Sequence, residues 1–285
     1  MPQNLLKRFV QAYPAQPATA FWRAFEIQAL ASIGLPSGRG LDLGCGDGKL
    51  TSILLSLTGE RSLVGVDLDP LETEAAARFP FYQAVHTAPG DAIPEPDASF
   101  DFVISNSVLE HIPNLEPVIA EVGRLLKPGG QFFFTVPAPD FKRNLAGSLI
   151  PFSSRQDYLE RLDRRLAHFN YLSADDWRAM CGRHDLSVEG CAGYLGLAET
   201  RRWETLSRMT GGLLYALGGG SLRPIEIQRR LGLRQAQNSA GLPGPIASMV
   251  TAIVGAGFPP ESIDDPWRSD SPSCLLVSGR RTGAE

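Results

Sequence analysis

The sequence predicts an α/β protein with a parallel sheet covered by helices on both faces. Three observations carry that expectation. Short apolar runs alternate with helix-like stretches between residues 39 and 136. The runs lack the polar alternation of a half-exposed sheet, as strands buried on both faces do. The first run ends in alternating glycines, Gly44, Gly46 and Gly48, directly before a helix.

Taken in order, residues 18–34 read as a helix with Phe21, Phe25 and Leu30 near helical spacing, stopped by Gly34 and Pro36. The segment around 39–46 is a short buried strand. Residues 49–58 then read as a helix, 62–68 as a strand, 71–79 as a helix, 82–87 and 100–105 as strands, 115–126 as a helix and 131–136 as a strand. Past Pro137 the rhythm changes. Residues 155–165 form a charged, exposed helix, and Ser173 caps a helix over 174–184 whose first turn holds Asp175 and Asp176. Strands at 186–191 and 273–278 complete seven, with Arg280 and Arg281 expected outside the last. The expected division is a helical cap at 1–38, a core at 39–195 plus 272–285 with a lid-like insertion at 138–172, and an apolar helical insertion at 196–271.

Lys and Arg number 27 against 31 Asp and Glu, a formal charge of −4. That balance offers no field for a nucleic-acid backbone, so no nucleic-acid partner is expected. Cys45, Cys181, Cys191 and Cys274 form no C-x-x-C pair and fit isolated thiols in a reducing, cytoplasmic setting. Met1–Val10 has no apolar core of a signal peptide, and no breaker-free run of about 20 apolar residues marks a spanning helix. There is no H-E-x-x-H, no acidic cluster at metal-ligand spacing and no G-x-S-x-G, so neither a metal nor a serine nucleophile is expected.

LDLGCGDGKL, residues 41–50, is the most informative stretch. Glycines let a ligand lie on the backbone and allow positive φ in a sharp turn. The helix that follows presents free N–H groups. A dinucleotide fingerprint is G-x-G-x-x-G, whereas Lys49 stands at its third-glycine position here. Asp42, two residues before the first glycine, would place negative charge beside the loop. That suits a cationic ligand without phosphates.

LDLGCGDG (41–48), VGVDLDP (64–70), GDAIPEPDASFDFVISNSVLEHI (90–112) and RLLKPGGQFFFTVP (124–137) occur in this order. Together they resemble a class I S-adenosylmethionine-dependent methyltransferase of the type that includes ubiquinone- and menaquinone-pathway methylases. The resemblance covers 39–136 well and 168–195 loosely. It implies a Rossmann-like, mostly parallel seven-stranded sheet and the cofactor S-adenosylmethionine, released as S-adenosylhomocysteine. It further implies that Asp42, Gly44, Cys45 and Gly46 line the methionine part, that Asp67 accepts from the ribose hydroxyls, that Leu68 beside it touches the cofactor, that Asp91 and Ala92 meet the adenine, and that Asn106 faces cofactor and substrate.

Methyl transfer depends on holding nucleophile and methyl in line, and a hydroxyl acceptor gains from a base. His111, in LEHI, and His168, in AHFNYL, are the candidates. His184 reads as compensating a helix C-terminus and His86 as structural. The acceptor is expected to be a small molecule, lipophilic or a sugar or glycolipid hydroxyl, with a non-catalytic cofactor-binding module as the alternative. The 196–271 insertion departs from the family's short hairpin. Its charge-free runs at 211–220 and 241–260 suggest a lid, a homodimer contact or a peripheral membrane contact, or simply extra packed helices.

Overall fold

Apolar side chains along the central strands bury the middle of the sheet. Leu41, Leu43, Val64, Val66, Phe102, Val103, Ile104, Phe132 and Phe134 are all buried. The computed structural model describes residues 5–14, 16–148, 152–212, 243–258, 263, 267 and 271–283. The expected apolar run at 211–220 lies almost wholly outside them.

The helices are α1 (Leu5–Ala12), α2 (Pro17–Ile33), α3 (Lys49–Thr58), α4 (Pro70–Ala76), α5 (Glu116–Leu125), α6 (Asp140–Asn144), α7 (Arg155–Leu166), α8 (Ala174–Gly182), α9 (Leu197–Ser207) and α10 (Gly244–Val254). The strands are β1 (Arg39–Leu43), β2 (Ser62–Asp67), β3 (Tyr82–Thr87), β4 (Phe100–Asn106), β5 (Leu126–Pro137), β6 (Leu186–Tyr194) and β7 (Cys274–Arg281). They form one seven-stranded sheet in the order β3-β2-β1-β4-β5-β7-β6. β1 runs parallel to β2 and β4, and β7 runs antiparallel to β5. The order reverses between β1 and β4, and the crevice at the carboxyl ends of such a pair is where open α/β sheets bind ligands.

The chain divides into two compact units. The sheet unit holds residues 29–139, 169–193 and 274–285, and the helical unit holds 1–28, 140–168 and 194–273. The described parts of the N-terminal cap up to residue 28, of the lid-like segment from 140 to 168 and of the late insertion fall together in the helical unit. Its core is aromatic: Trp22, Phe141 and Trp203 pack with ring centroids 5.4–5.7 Å apart. Glu204, buried there, accepts from the amides of Ala146 and Gly147 and from the Tyr158 hydroxyl, and Arg208 neutralises it.

Capping follows the sequence closely. Asp69 Oδ1 accepts from Leu71 N at 3.0 Å, and Ser173 with Asp176 forms a reciprocal capping box. Two expectations need correction. Arg280 and Arg281 lie inside β7, because Arg280 pairs in register with Gln131 and its guanidinium grips Glu189 of β6, while Arg281 donates to the Leu126 carbonyl. His184 does not serve a helix end: its Nε2 meets Glu116 Oε1 at 2.8 Å. His86 is structural as expected, paired with Glu95 at 2.9 Å.

Candidate functional site

The glycine turn lies at the carboxyl end of β1, with its backbone fixed from below. Gly44 N and Cys45 N both donate to the Val66 carbonyl, at 2.8 and 3.0 Å. All three glycines have positive φ, 79°, 52° and 77°, a region that L side chains rarely enter. Their surroundings differ in an instructive way. A Cβ on Gly44 would lie 2.2 Å from the Val108 side chain, and one on Gly48 would lie 2.8 Å from the Phe79 ring. A Cβ on Gly46 would meet nothing closer than Glu72 Oε2 at 3.9 Å. Gly44 and Gly48 therefore serve packing, and Gly46 is the place where a ligand can rest on bare backbone.

Two carboxylates hold the turn. Asp67 ends β2; its Oδ2 accepts from Gly46 N at 3.0 Å and its Oδ1 from Asp69 N at 2.9 Å. Burial, with Glu72 and Asp69 nearby, raises its pKa against the lowering pull of those two amides. Each oxygen keeps a lone pair, so a bidentate acceptor for a vicinal diol remains once the turn is anchored. Asp42 lies deeper than the sequence suggested. Its Oδ2 accepts from Thr51 Oγ1 at 2.6 Å and from the Tyr82 hydroxyl at 2.5 Å, and burial lifts its pKa to about 6. It is thus a buttress inside the sheet, its carboxylate answered by two hydroxyl donors. Burial also pushes the Cys45 thiol and the Tyr82 phenol upward.

The remaining candidates differ in exposure. Leu68 stands 70% exposed next to Asp67. Asp91 and Ala92 are exposed on the loop after β3, which is tied to β2 through Ala88 N donating to the Asp67 carbonyl at 3.1 Å. Asn106 is the last residue of β4 and not beyond it, buried, with its Oδ1 3.4 Å from Thr135 Oγ1. Ser107 follows at φ 49°, a strained non-glycine position that turns the chain sharply off the sheet edge. His111 is exposed at the end of a single 3-10 turn, Leu109–His111, in the sheet unit. His168 belongs to the helical unit, where its ring lies 6.2 Å from that of Phe141.

With this geometry the comparisons with known proteins agree. Residues 18–189 match the family described as a methyltransferase domain. The chain belongs to the class I S-adenosylmethionine-dependent methyltransferases. Trans-aconitate 2-methyltransferase of Methylobacterium nodulans is 28% identical over 192 residues, 62% of this chain and 70% of that protein. The ubiquinone biosynthesis O-methyltransferase of Azoarcus sp. is 32% identical over 142 residues, 45% of this chain and 59% of that one. Dimethylglycine N-methyltransferase of Parasynechococcus marenigrum is 34% identical over 120 residues, 39% and 42% of the two chains. The alignments thus span under two thirds of the latter two relatives. A chain from the Haloferax volcanii complex between the Trm112 methyltransferase activator and a methyltransferase shares the fold. Its TM-score is 0.55 at 15% identity, covering 97% of this chain and 98% of that one. So does the [4+2]-cyclase SpnF, with TM-score 0.54, 14% identity and 91% and 81% coverage.

The cofactor of this methyltransferase is S-adenosylmethionine, and the residues present fit it. Gly46 leaves the cradle that a Cβ would begin to fill, and the acids at the turn favour a cation. Three residues of the site escaped the sequence reading. Thr51 and Tyr82 hold Asp42 from 9 and 40 positions away. Asn170 pins the turn before His111, its Nδ2 donating to the carbonyls of Leu109 at 3.2 Å and Ile112 at 2.7 Å. The one available signal was chemical: a tyrosine buried at the head of a strand needs a partner for its hydroxyl.

Proposed function

We propose that this methyltransferase acts on a small lipophilic acceptor bearing a nucleophilic hydroxyl. The observation that carries the transfer reading is the open backbone at Gly46 beside the Asp67 carboxylate, at the carboxyl edge of β1 and β2. When bound, S-adenosylmethionine supplies an activated methyl on a sulfonium. Asp67 would take the ribose hydroxyls, Leu68 and Ala92 the adenine faces, Asp91 its exocyclic amine, and Gly44–Gly46 with Asn106 the amino-acid end. The chain's further tasks are to position the acceptor, to exclude water and to take the hydroxyl proton as the oxygen–methyl bond forms.

His111 or His168 is the base in this reading, since an imidazole titrates near neutrality. Support for a lipophilic acceptor comes from the apolar character of residues 241–258 and from relatives named for ubiquinone biosynthesis. The trans-aconitate and dimethylglycine enzymes are named for acidic acceptors, so polyprenyl phenols, sugar lipids and small carboxylic acids belong in one screen. With labelled cofactor, transfer to the phenols or sugar lipids is the expected result; transfer to carboxylates alone refutes the lipophilic reading. If a histidine is the base, its replacement by Gln lowers kcat and removes the acid limb of the pH profile while S-adenosylhomocysteine binding holds. An unchanged profile in both single variants excludes it.

A chain of this fold carries another reaction's name, so cofactor binding alone does not establish turnover. Binding without labelled product across the whole screen favours a non-catalytic cofactor-binding module.

A further inference from the structure

We propose that α10 docks the helical unit onto an anionic lipid surface, its outward face lying in the headgroup boundary. This inference does not rest on the acceptor reading above.

The helix is inverted relative to an ordinary surface helix. Its buried residues are Ala247, Thr251 and Val254, whereas the larger Ile246, Met249 and Ile253 are 45%, 59% and 59% exposed. A helix packed for water alone turns its largest apolar side chains inward. The three outward residues fall at i, i+3 and i+7, one line along one face, and residues 244–254 carry no charge at all. Eleven residues rise about 16 Å, so the helix lies on a bilayer and does not cross it. No helix of the described residues is long and apolar enough to span one.

Charge selects the occupant. Counted from the sequence, the helical unit holds 17 Lys and Arg against 12 Asp and Glu, a net of +5; the sheet unit holds 10 against 19, a net of −9. Basic side chains stand on two helices in contact with α10. Arg202 of α9 donates to the last carbonyls of α10, those of Ile253 and Val254, and Arg201 beside it is exposed. On the other side α1 packs against α10, with Leu6 close to Gly255, and α1 carries Lys7 and Arg8. Docking a second copy through the same face would bring two +5 units together, whereas an anionic bilayer presents the opposite sign. Apolar insertion plus basic attraction is the combination that gives stable peripheral binding.

Flotation of the full chain tests this, using phosphatidylcholine vesicles and vesicles with phosphatidylglycerol added. Binding is expected on the anionic vesicles only and should weaken with salt. Ile246→Ser, Met249→Ser and Ile253→Ser combined should weaken it by about tenfold or more, from the lost apolar burial. Arg201→Glu should weaken it by a smaller factor. Circular dichroism and S-adenosylhomocysteine affinity, read in parallel, show that each variant is folded; Met249→Glu alone serves if the triple variant is not. Protein that stays in the aqueous fraction with every vesicle overturns the proposal. So does a triple variant that binds like the parent. A concentration-dependent dimer in sedimentation velocity, abolished by the same substitutions in a chain that ignores vesicles, gives the face to a second copy and overturns it equally.

Discussion

Tyr82→Phe isolates the hydrogen bond that holds Asp42 under the glycine turn. The phenol reaches Asp42 Oδ2 at 2.5 Å, and Thr51 Oγ1 reaches the same oxygen at 2.6 Å. Burial raises Asp42 from 3.8 to about 6, while both hydroxyls pull it down. A raised folded pKa means that the fold favours the neutral acid. The cost of holding the anion is absent below about pH 4 and complete above about pH 6. A rise of that size is roughly 3 kcal/mol at neutral pH. Removing the phenol withdraws a bond to a charged acceptor above pH 6, worth about 1.5–3 kcal/mol, and a bond to a neutral acid below it, worth about 0.5–1.5 kcal/mol. Urea unfolding of parent and variant at pH 8 and pH 5 should therefore show a loss of about 2 kcal/mol at pH 8 that shrinks to about 1 kcal/mol at pH 5. Equal losses at both pH values, or a larger one at pH 5, would show that the phenol does not favour the Asp42 anion.

Three other perturbations bear on the same edge. Asp67→Asn should weaken S-adenosylhomocysteine binding in calorimetry by about 1–3 kcal/mol, through loss of charged hydrogen bonds to ribose; an unchanged Kd would remove Asp67 from the site. Gly44→Ala and Gly46→Ala both bear the strain of a positive φ, but only Gly44→Ala also drives a Cβ into Val108, so it should cost the more folding stability, whereas Gly46→Ala should cost the more cofactor affinity. The reverse pattern would exchange their assigned roles. Native alkylation followed by mass spectrometry should label half-buried Cys191 before the buried Cys45, Cys181 and Cys274; fast labelling of Cys45 would mean that the turn opens.

The sheet was legible because the central strands are short, mainly apolar runs that alternate with helix-like stretches. The glycine spacing located the turn for the same reason: it is local chemistry, eight residues long. What could not be read depends on partners distant in sequence. Asp42 looks like a loop-side charge until Tyr82, 40 positions on, is seen to hold it inside the sheet. Arg280 looks like a strand end, since a charge within a strand is disfavoured unless a neighbour answers it, and Glu189 does so from 91 residues away. His184 was assigned to its own helix, yet its partner Glu116 is 68 positions earlier. The three non-sheet segments carry no shared pattern that would announce them as one unit. Trp22, Phe141 and Trp203 become a core only when folded.

Electrostatics offers a test of the cofactor edge that mutates nothing. Asp67, Asp69 and Glu72 lie together at the end of β2 and the start of α4, within a unit of net charge −9. S-adenosylmethionine carries a sulfonium charge that its product lacks, while the adenine, ribose and amino-acid contacts are common to both. The ratio of their affinities thus reports the methyl's own contacts and the field at the sulfur, and of these only the field responds to salt. With charges about 8 Å apart and an effective dielectric of about 40, one unit of charge is worth about 1 kcal/mol, or roughly fivefold in Kd. Salt screens exposed charges beyond about 10 Å at 0.1 M and about 3 Å at 1 M. The preference for the sulfonium form over the thioether should therefore fall as salt rises, by a few-fold in paired calorimetric titrations. A ratio indifferent to salt would mean that these acids are spent on the protein's own amides and exert no pull on the methyl donor.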